Sequence, residues 1–128
     1  MKLIDKDLMS MQEVRELVES AKEAQRELAR MDQAQVDRIV KSIADAGVRK
    51  AKRLAQMAQE VTGFGVVSDK VVKNVFASRG VYEHIKDMKT IGILDRDEAN
   101  KTYTIAAPVA VIAGLIPTTN PTSTAIFK

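Results

Sequence analysis

The sequence contains no cysteine, no tryptophan and one histidine, and aromatic residues make up only 4% of it. Without cysteine, these 128 residues hold no disulfide, no thiolate metal site and no cysteine nucleophile, which fits a reducing compartment. Scarce aromatics leave Val, Ile, Leu, Ala and Met to build a core. A long hydrophobic run is missing as well. Lys2, Asp5, Lys6 and Asp7 interrupt the apolar residues of the N-terminus, so it has no signal-peptide hydrophobic region. No stretch approaches the roughly 20 apolar residues of a membrane span. The expectation is a soluble, cytoplasmic protein.

Other absences narrow the chemistry. The single histidine, His84, lies near Glu83 and Lys86 in a helical pattern and reads as exposed or at a packing edge rather than as a ligand or general base. With no second histidine and no carboxylates at metal-ligand spacing, a metal site is not expected. Gly63-Phe64-Gly65 lacks the third glycine and the preceding strand of a dinucleotide fingerprint, and no Walker lysine motif occurs. Charge is not blocked by sign: 20 basic residues lie among 17 acidic ones, for a net charge of +3. Arg49, Lys50, Lys52 and Arg53 form the one dense basic cluster. With no aromatic platform beside it, the cluster reads as a solvated helix face rather than a nucleic-acid surface.

What is present is a globular composition, 45% apolar and 29% charged. Helices are expected over residues 10–89. Ser10 and Glu13 have capping-box spacing, and Met11, Val14, Leu17, Val18, Ala21, Leu28 and Met31 follow at helical intervals. Asp32 is placed to cap a second helix, whose stripe includes Val36, Ile39, Val40, Ile43, Ala44, Leu54, Ala55, Met57, Ala58 and Val61, with Gly47 as a candidate bend. Gly63 and Gly65 stop that helix. Ser68 is the expected cap of a third helix, which runs through Val71, Val72, Val75, Phe76, Tyr82, Ile85 and Met88.

The pattern changes after Lys89. Residues 90–107 read as a hairpin region: apolar Thr90–Leu94, a polar turn Asp95–Lys101, and alternating Thr102–Ala106 as a half-exposed strand. In the segment 108–128, Val109–Ile116 is apolar throughout, as in a parallel strand buried on both faces. A polar turn follows, and Pro121 opens a further helix. A strand that delivers a polar turn to a helix N-terminus is how open α/β sheets build nucleotide sites. Thr118, Thr119, Asn120, Thr122, Ser123 and Thr124 supply neutral donors and acceptors there, suited to holding a polar ligand but not to proton transfer. An Asn amide can also donate to a developing oxyanion. The structural alternative is a plain Asn-Pro turn with a Thr or Ser helix cap.

The run Ile116-Pro-Thr-Thr-Asn-Pro-Thr-Ser-Thr-Ala-Ile-Phe-Lys128 resembles the nucleotide-site segment of CoA-acylating aldehyde dehydrogenases, and most of all that of the aldehyde dehydrogenase half of bifunctional aldehyde–alcohol dehydrogenases. The resemblance extends upstream through Ala24–Glu27, Gln35–Ile39, Glu60–Gly65, Asp69–Asn74 and Phe76–Ser78, from about Val14 to Lys128. It implies an α/β, aldehyde dehydrogenase-like fold, in which N-terminal helices precede the first strands of a Rossmann-type nucleotide-binding domain that is incomplete in this chain. Residues 1–128 are then the N-terminal part of the NAD-binding domain, with the first buried strand and cofactor turn at 108–128. The implied reaction converts an aldehyde, NAD and coenzyme A into an acyl-CoA and NADH, with acetaldehyde as the common case. The catalytic cysteine is implied to lie outside this chain, so these 128 residues alone are expected to be inactive.

By the same resemblance, Leu115, Ile116, Pro117, Thr118, Thr119 and Asn120 lie against the NAD, and Lys128 resembles a lysine of the nucleotide site. Asn120 resembles the asparagine that binds the substrate oxyanion; if Pro121 sets the register, Thr119 takes that place. The region around Thr102–Ala106 helps pair subunits in the family, so a homo-oligomer is implied, with neither nucleic acid nor membrane as a partner. A reading from another class treats the same stripes as a non-enzymatic helical interaction module that donates its tail to a partner.

Overall fold

The computed structural model describes residues 5–128. Its elements in chain order are α1 (Lys6–Leu28), α2 (Gln33–Thr62), α3 (Val67–Val75), a π-helical turn (Phe76–Gly80), α4 (Val81–Ile85), β1 (Gly92–Asp97), β2 (Thr102–Ala106) and α5 (Pro121–Phe127). They group into two units. One takes the chain up to Asp32 together with Ile91–Ala113; the other takes Gln33–Thr90 together with Gly114–Lys128.

In the first unit, α1 starts one turn earlier than the capping-box spacing places it. Asp5 is its cap, and Asp5 Oδ1 accepts from the amides of Asp7 and Leu8 at 2.9 and 3.1 Å. Ser10 lies inside the helix instead, where its hydroxyl donates to the Lys6 carbonyl. A carboxylate at the helix start satisfies two orphan amides and also complements the dipole, so the earlier cap prevails. β1 and β2 pair antiparallel, from Gly92 opposite Ala106 to Asp97 opposite Thr102, with a bulge between Ile93 and Asp95. Thr102–Ala106 is the strand the alternation predicts. Asp95–Asp97, read as turn, belongs to β1, where the Arg96 guanidinium lies 5.5 Å from the centre of the Tyr103 ring. Cross-strand pairing of this kind recruits polar residues that propensity alone assigns to a turn.

The second unit is organised by α2. Its 30 residues run without a break through Gly47, and its buried positions are Ala44, Gly47, Ala51, Ala55 and Ala58. These small residues recur at intervals of three and four and form a narrow seam. Against it pack α3, the π-helical turn, α4 and α5. Glycine is required at position 47, since a Cβ built there would stand 2.3 Å from Ser78 Oγ and 3.3 Å from Ile126 Cγ2. The large members of the predicted stripe, Ile39, Ile43, Met57 and Val61, lie beside the seam and are exposed.

The helix α2 ends at Thr62, and Gly63 and Gly65 both take positive φ. The next helix begins at Val67 after an extended Val66, with no side-chain cap; the Ser68 hydroxyl contacts the Asp69 carboxylate instead. Helical structure continues through the π-helical turn to Ile85, short of Met88.

Val109–Ile116 is not a strand. It is irregular, forms no ladder among the described residues, and the boundary between the two units falls within it at Ala113 and Gly114. A strand buried on both faces needs neighbours on both edges, and the only strands among the described residues, β1 and β2, pair with each other. Among the described residues, no helix is long and apolar enough to cross a membrane, and no three His, Cys, Asp or Glu side chains cluster as a metal site.

Candidate functional site

The terminal turn is built by α3. Residues 70, 73 and 74 share one helix face at i, i+3 and i+4. Lys70 Nζ donates to the Thr119 carbonyl at 2.9 Å, Lys73 Nζ donates to Asn120 Oδ1 at 3.0 Å, and Asn74 Oδ1 accepts from the Thr122 hydroxyl at 2.9 Å. Three polar side chains on one helix therefore hold three residues of the turn and of the first turn of α5.

Two of these three supports, Lys70 and Asn74, are buried, whereas Lys73 is exposed. Asn74 is 1% exposed, and its amide donates to the Ala51 carbonyl of α2 at 3.0 Å. Ser78 is 2% exposed and donates to the Asn74 carbonyl at 2.7 Å. Lys70 is 6% exposed, and its stem passes Gly65, where an added Cβ would meet Lys70 Cε at 3.3 Å. Gly65 thus has a steric role beside the site. A lysine stem buried this way places its ammonium on one defined acceptor.

The helix α5 begins at Pro121, as expected of proline at a first helical position. Asn120 is its cap residue but makes no side-chain capping bond. Its carbonyl accepts from the Thr124 amide at 3.1 Å, and its side chain is left for other work. Asn120 lines a groove of 580 Å³ together with Lys73, Ser123 and Thr124. The walls of the groove are Val72, Phe76, Ala77, Val81 and Phe127. Apolar walls with a few polar groups at this volume are the ordinary form of a small-molecule site.

The predicted residues are not all in one place. Asn120 faces the groove, whereas Thr119 is held by its backbone carbonyl, and its hydroxyl lies a loose 3.5 Å from Asn120 Nδ2. Leu115 is 94% exposed and Ile116 is also exposed. Lys128 lies at the far end of α5 and lines a different, 210 Å³ pocket with Val40, Ile43, Tyr82 and Ile126. The exposed His84 lines neither. Reading the sequence for apolar periodicity passed over Lys70, Lys73 and Asn74 as site residues. The available signal was their shared i, i+3, i+4 face beside the stripe of Val71, Val72 and Val75.

Comparison with known proteins defines the class. Residues 3–128 match the model of the aldehyde dehydrogenase family, and the chain belongs to that family. Within it, the similar proteins are acylating enzymes and their kin. The chain is 51% identical over 116 residues to the bifunctional aldehyde-alcohol dehydrogenase AdhE of Escherichia coli (strain K12), covering 91% of this chain and 13% of that protein. It superposes on an acetylating aldehyde dehydrogenase from Geobacillus thermoglucosidasius with a TM-score of 0.95 at 56% identity, over 98% of this chain and 28% of that one. A probable aldehyde dehydrogenase from Listeria monocytogenes EGD-e gives 0.94 at 62% identity, over 96% and 27%. The chain therefore spans between about an eighth and somewhat over a quarter of these proteins. The fold class expected from the sequence is borne out, and the interaction-module reading finds no support among these relatives.

Proposed function

We propose that this segment forms one wall of the substrate and cofactor site of an NAD-dependent, CoA-acylating aldehyde dehydrogenase. The enzyme converts an aldehyde, NAD and coenzyme A into an acyl-CoA and NADH, with acetaldehyde the reference substrate. The observation that carries the reading is the placement of Asn120. Its carboxamide is released from capping α5, is held by Lys73, and lines an apolar groove of small-molecule size. When a thiolate adds to an aldehyde carbon, the carbonyl oxygen becomes an oxyanion, and an amide N–H already in place stabilises it without reorganisation. The groove's apolar walls suit the aliphatic part of the aldehyde.

NAD supplies the hydride acceptor when bound. The turn that would face it carries the Thr118 and Thr119 hydroxyls beside the exposed apolar surface of Leu115 and Ile116, a set that fits the ribose hydroxyls and flat ring faces of a nucleotide. The role proposed for Lys128 is with the same nucleotide. The homologous family members support coenzyme A as acyl acceptor. We also place the enzyme in the cytoplasm and assign it to a homo-oligomer assembled through the exposed β1–β2 hairpin, whose Tyr103 and Ile105 face solvent.

Two substitutions in the complete enzyme test the oxyanion assignment. Replacing Asn120 by Ala should lower kcat for aldehyde- and CoA-dependent NADH formation by about 10²- to 10³-fold. Thr119→Ala should cost far less, because the Thr119 contact with α3 is through its backbone. A large loss from Thr119→Ala with Asn120→Ala near wild type would reassign the role to Thr119; two near-wild-type variants would remove it from this turn.

A further inference from the structure

We infer that Lys73 is a positioning residue, which orients the Asn120 carboxamide so that Nδ2 is the end left to donate to the oxyanion. The inference rests on the assignment of Asn120 made above. A carboxamide can sit in two nearly isosteric orientations that differ by a half-turn of the amide. One presents two N–H donors to a ligand; the other presents an oxygen that repels an oxyanion. The backbone of Asn120 does not choose between them, because the side chain makes no capping bond to its own helix.

Lys73 makes the choice. An ammonium has three donors and no acceptor, so the atom it meets at 3.0 Å is Oδ1. Turning the amide over would set N–H groups against an ammonium and lose a charge-assisted hydrogen bond. Lys73 is itself fixed in register. Lys70, three residues earlier, holds the carbonyl of Thr119, and Asn74, one residue later, holds the hydroxyl of Thr122. The helix therefore cannot slide past the turn without breaking all three contacts.

The test is a double-mutant cycle in the complete enzyme that contains this segment. Lys73→Met keeps the aliphatic stem and removes the donor. It should lower kcat by about 10- to 100-fold, the scale of a misaimed catalytic group, while KM for NAD and Tm stay at wild-type values. Lys73→Arg, which restores N–H donors, should recover most of the loss. In an Asn120→Ala background, Lys73→Met should change kcat by less than about two-fold, since the two residues act as one unit. The same fold loss from Lys73→Met in both backgrounds overturns the inference, as does a loss confined to KM or Tm, or an unchanged kcat. An Asn120→Ala variant with wild-type kcat carries a different signature: it removes the oxyanion assignment itself.

Discussion

Asn74 ties the site to the core. Its side chain joins three helices, donating to the Ala51 carbonyl on α2 and accepting from Thr122 on α5 while sitting on α3. Alanine at position 74 would remove the second donor of the Ala51 carbonyl, which keeps its helical partner, and would leave the part-buried Thr122 hydroxyl without its acceptor. An unsatisfied buried polar group costs about 1–3 kcal/mol. The expected result in the complete enzyme is a lower thermal unfolding midpoint. Asn74→Asp should be no better, because it keeps the acceptor for Thr122 but turns a carboxylate oxygen toward the Ala51 carbonyl; thermal unfolding of both variants checks the ranking. Single residues also show how much of the site the sequence could reveal. Asn120 and Thr119 stood out because a polar turn that opens a helix at Pro121, in a segment that resembles a family's nucleotide site, is a local signal. Lys70, Lys73 and Asn74 did not, because their shared helix face is a signal that many polar residues carry and the partners that give it meaning lie 47 to 49 residues downstream.

Helices and strands obeyed the sequence where a local signal decided them and departed where packing did. The Gly63 stop, the Pro121 start and the Thr102–Ala106 strand each follow from backbone or side-chain stereochemistry within a few residues. The core of α2 does so only in part. The apolar stripe includes Ala44, Ala55 and Ala58, which are buried, but also Ile39, Ile43 and Met57, which are exposed, because close approach of α3 and α5 requires small side chains along the seam. Gly47→Ala tests this directly. Alanine in a helix interior gains up to about 1 kcal/mol over glycine, but here its Cβ would stand 3.0 Å from Ser78 Cβ and closer still to Ser78 Oγ. Overpacking of that kind costs about 1–3 kcal/mol, so the net effect expected is a loss of stability, partly relieved in the Gly47→Ala, Ser78→Ala pair. The hairpin offers a pH test. Asp97 accepts from both the side-chain and backbone nitrogens of Asn100, and these hydrogen bonds hold its carboxyl below the usual aspartate range. A depressed folded-state value means the tip is supported above the unfolded-state value and loses that support as the pH falls through the folded one. Protection of the Asn100 amide, measured against its intrinsic exchange rate, should therefore fall on the acid side, below about pH 4, and Asp97→Ala should show low protection without that acid step.

Across the described residues, apolar surface is distributed unevenly. The helix α1 is 23 residues long and buries none of them, although Val14 and Leu17 recur on its apolar stripe and both are exposed. Val109, Ile112 and Leu115 are 76%, 70% and 94% exposed in a stretch whose composition is that of an interior strand. The alanine seam between α2, α3 and α5 is instead closed within these residues and satisfies its own buried polar groups. Cooperative stability should therefore be uneven when residues 1–128 are made alone. Most helical stability in proteins comes from tertiary packing of an apolar face, which α1 lacks within these residues, and exposed apolar stretches on this scale recruit partners. The isolated polypeptide is expected to bind a hydrophobic dye and to self-associate in size-exclusion chromatography. Its α2 and α3 amides should exchange slowly, while those of α1 and Val109–Leu115 exchange almost as in an unfolded chain. A dye-free monomer with uniform protection would show that α1 and the 109–115 segment find their burial within these residues, and would restore the self-contained helical module that the family relationship argues against.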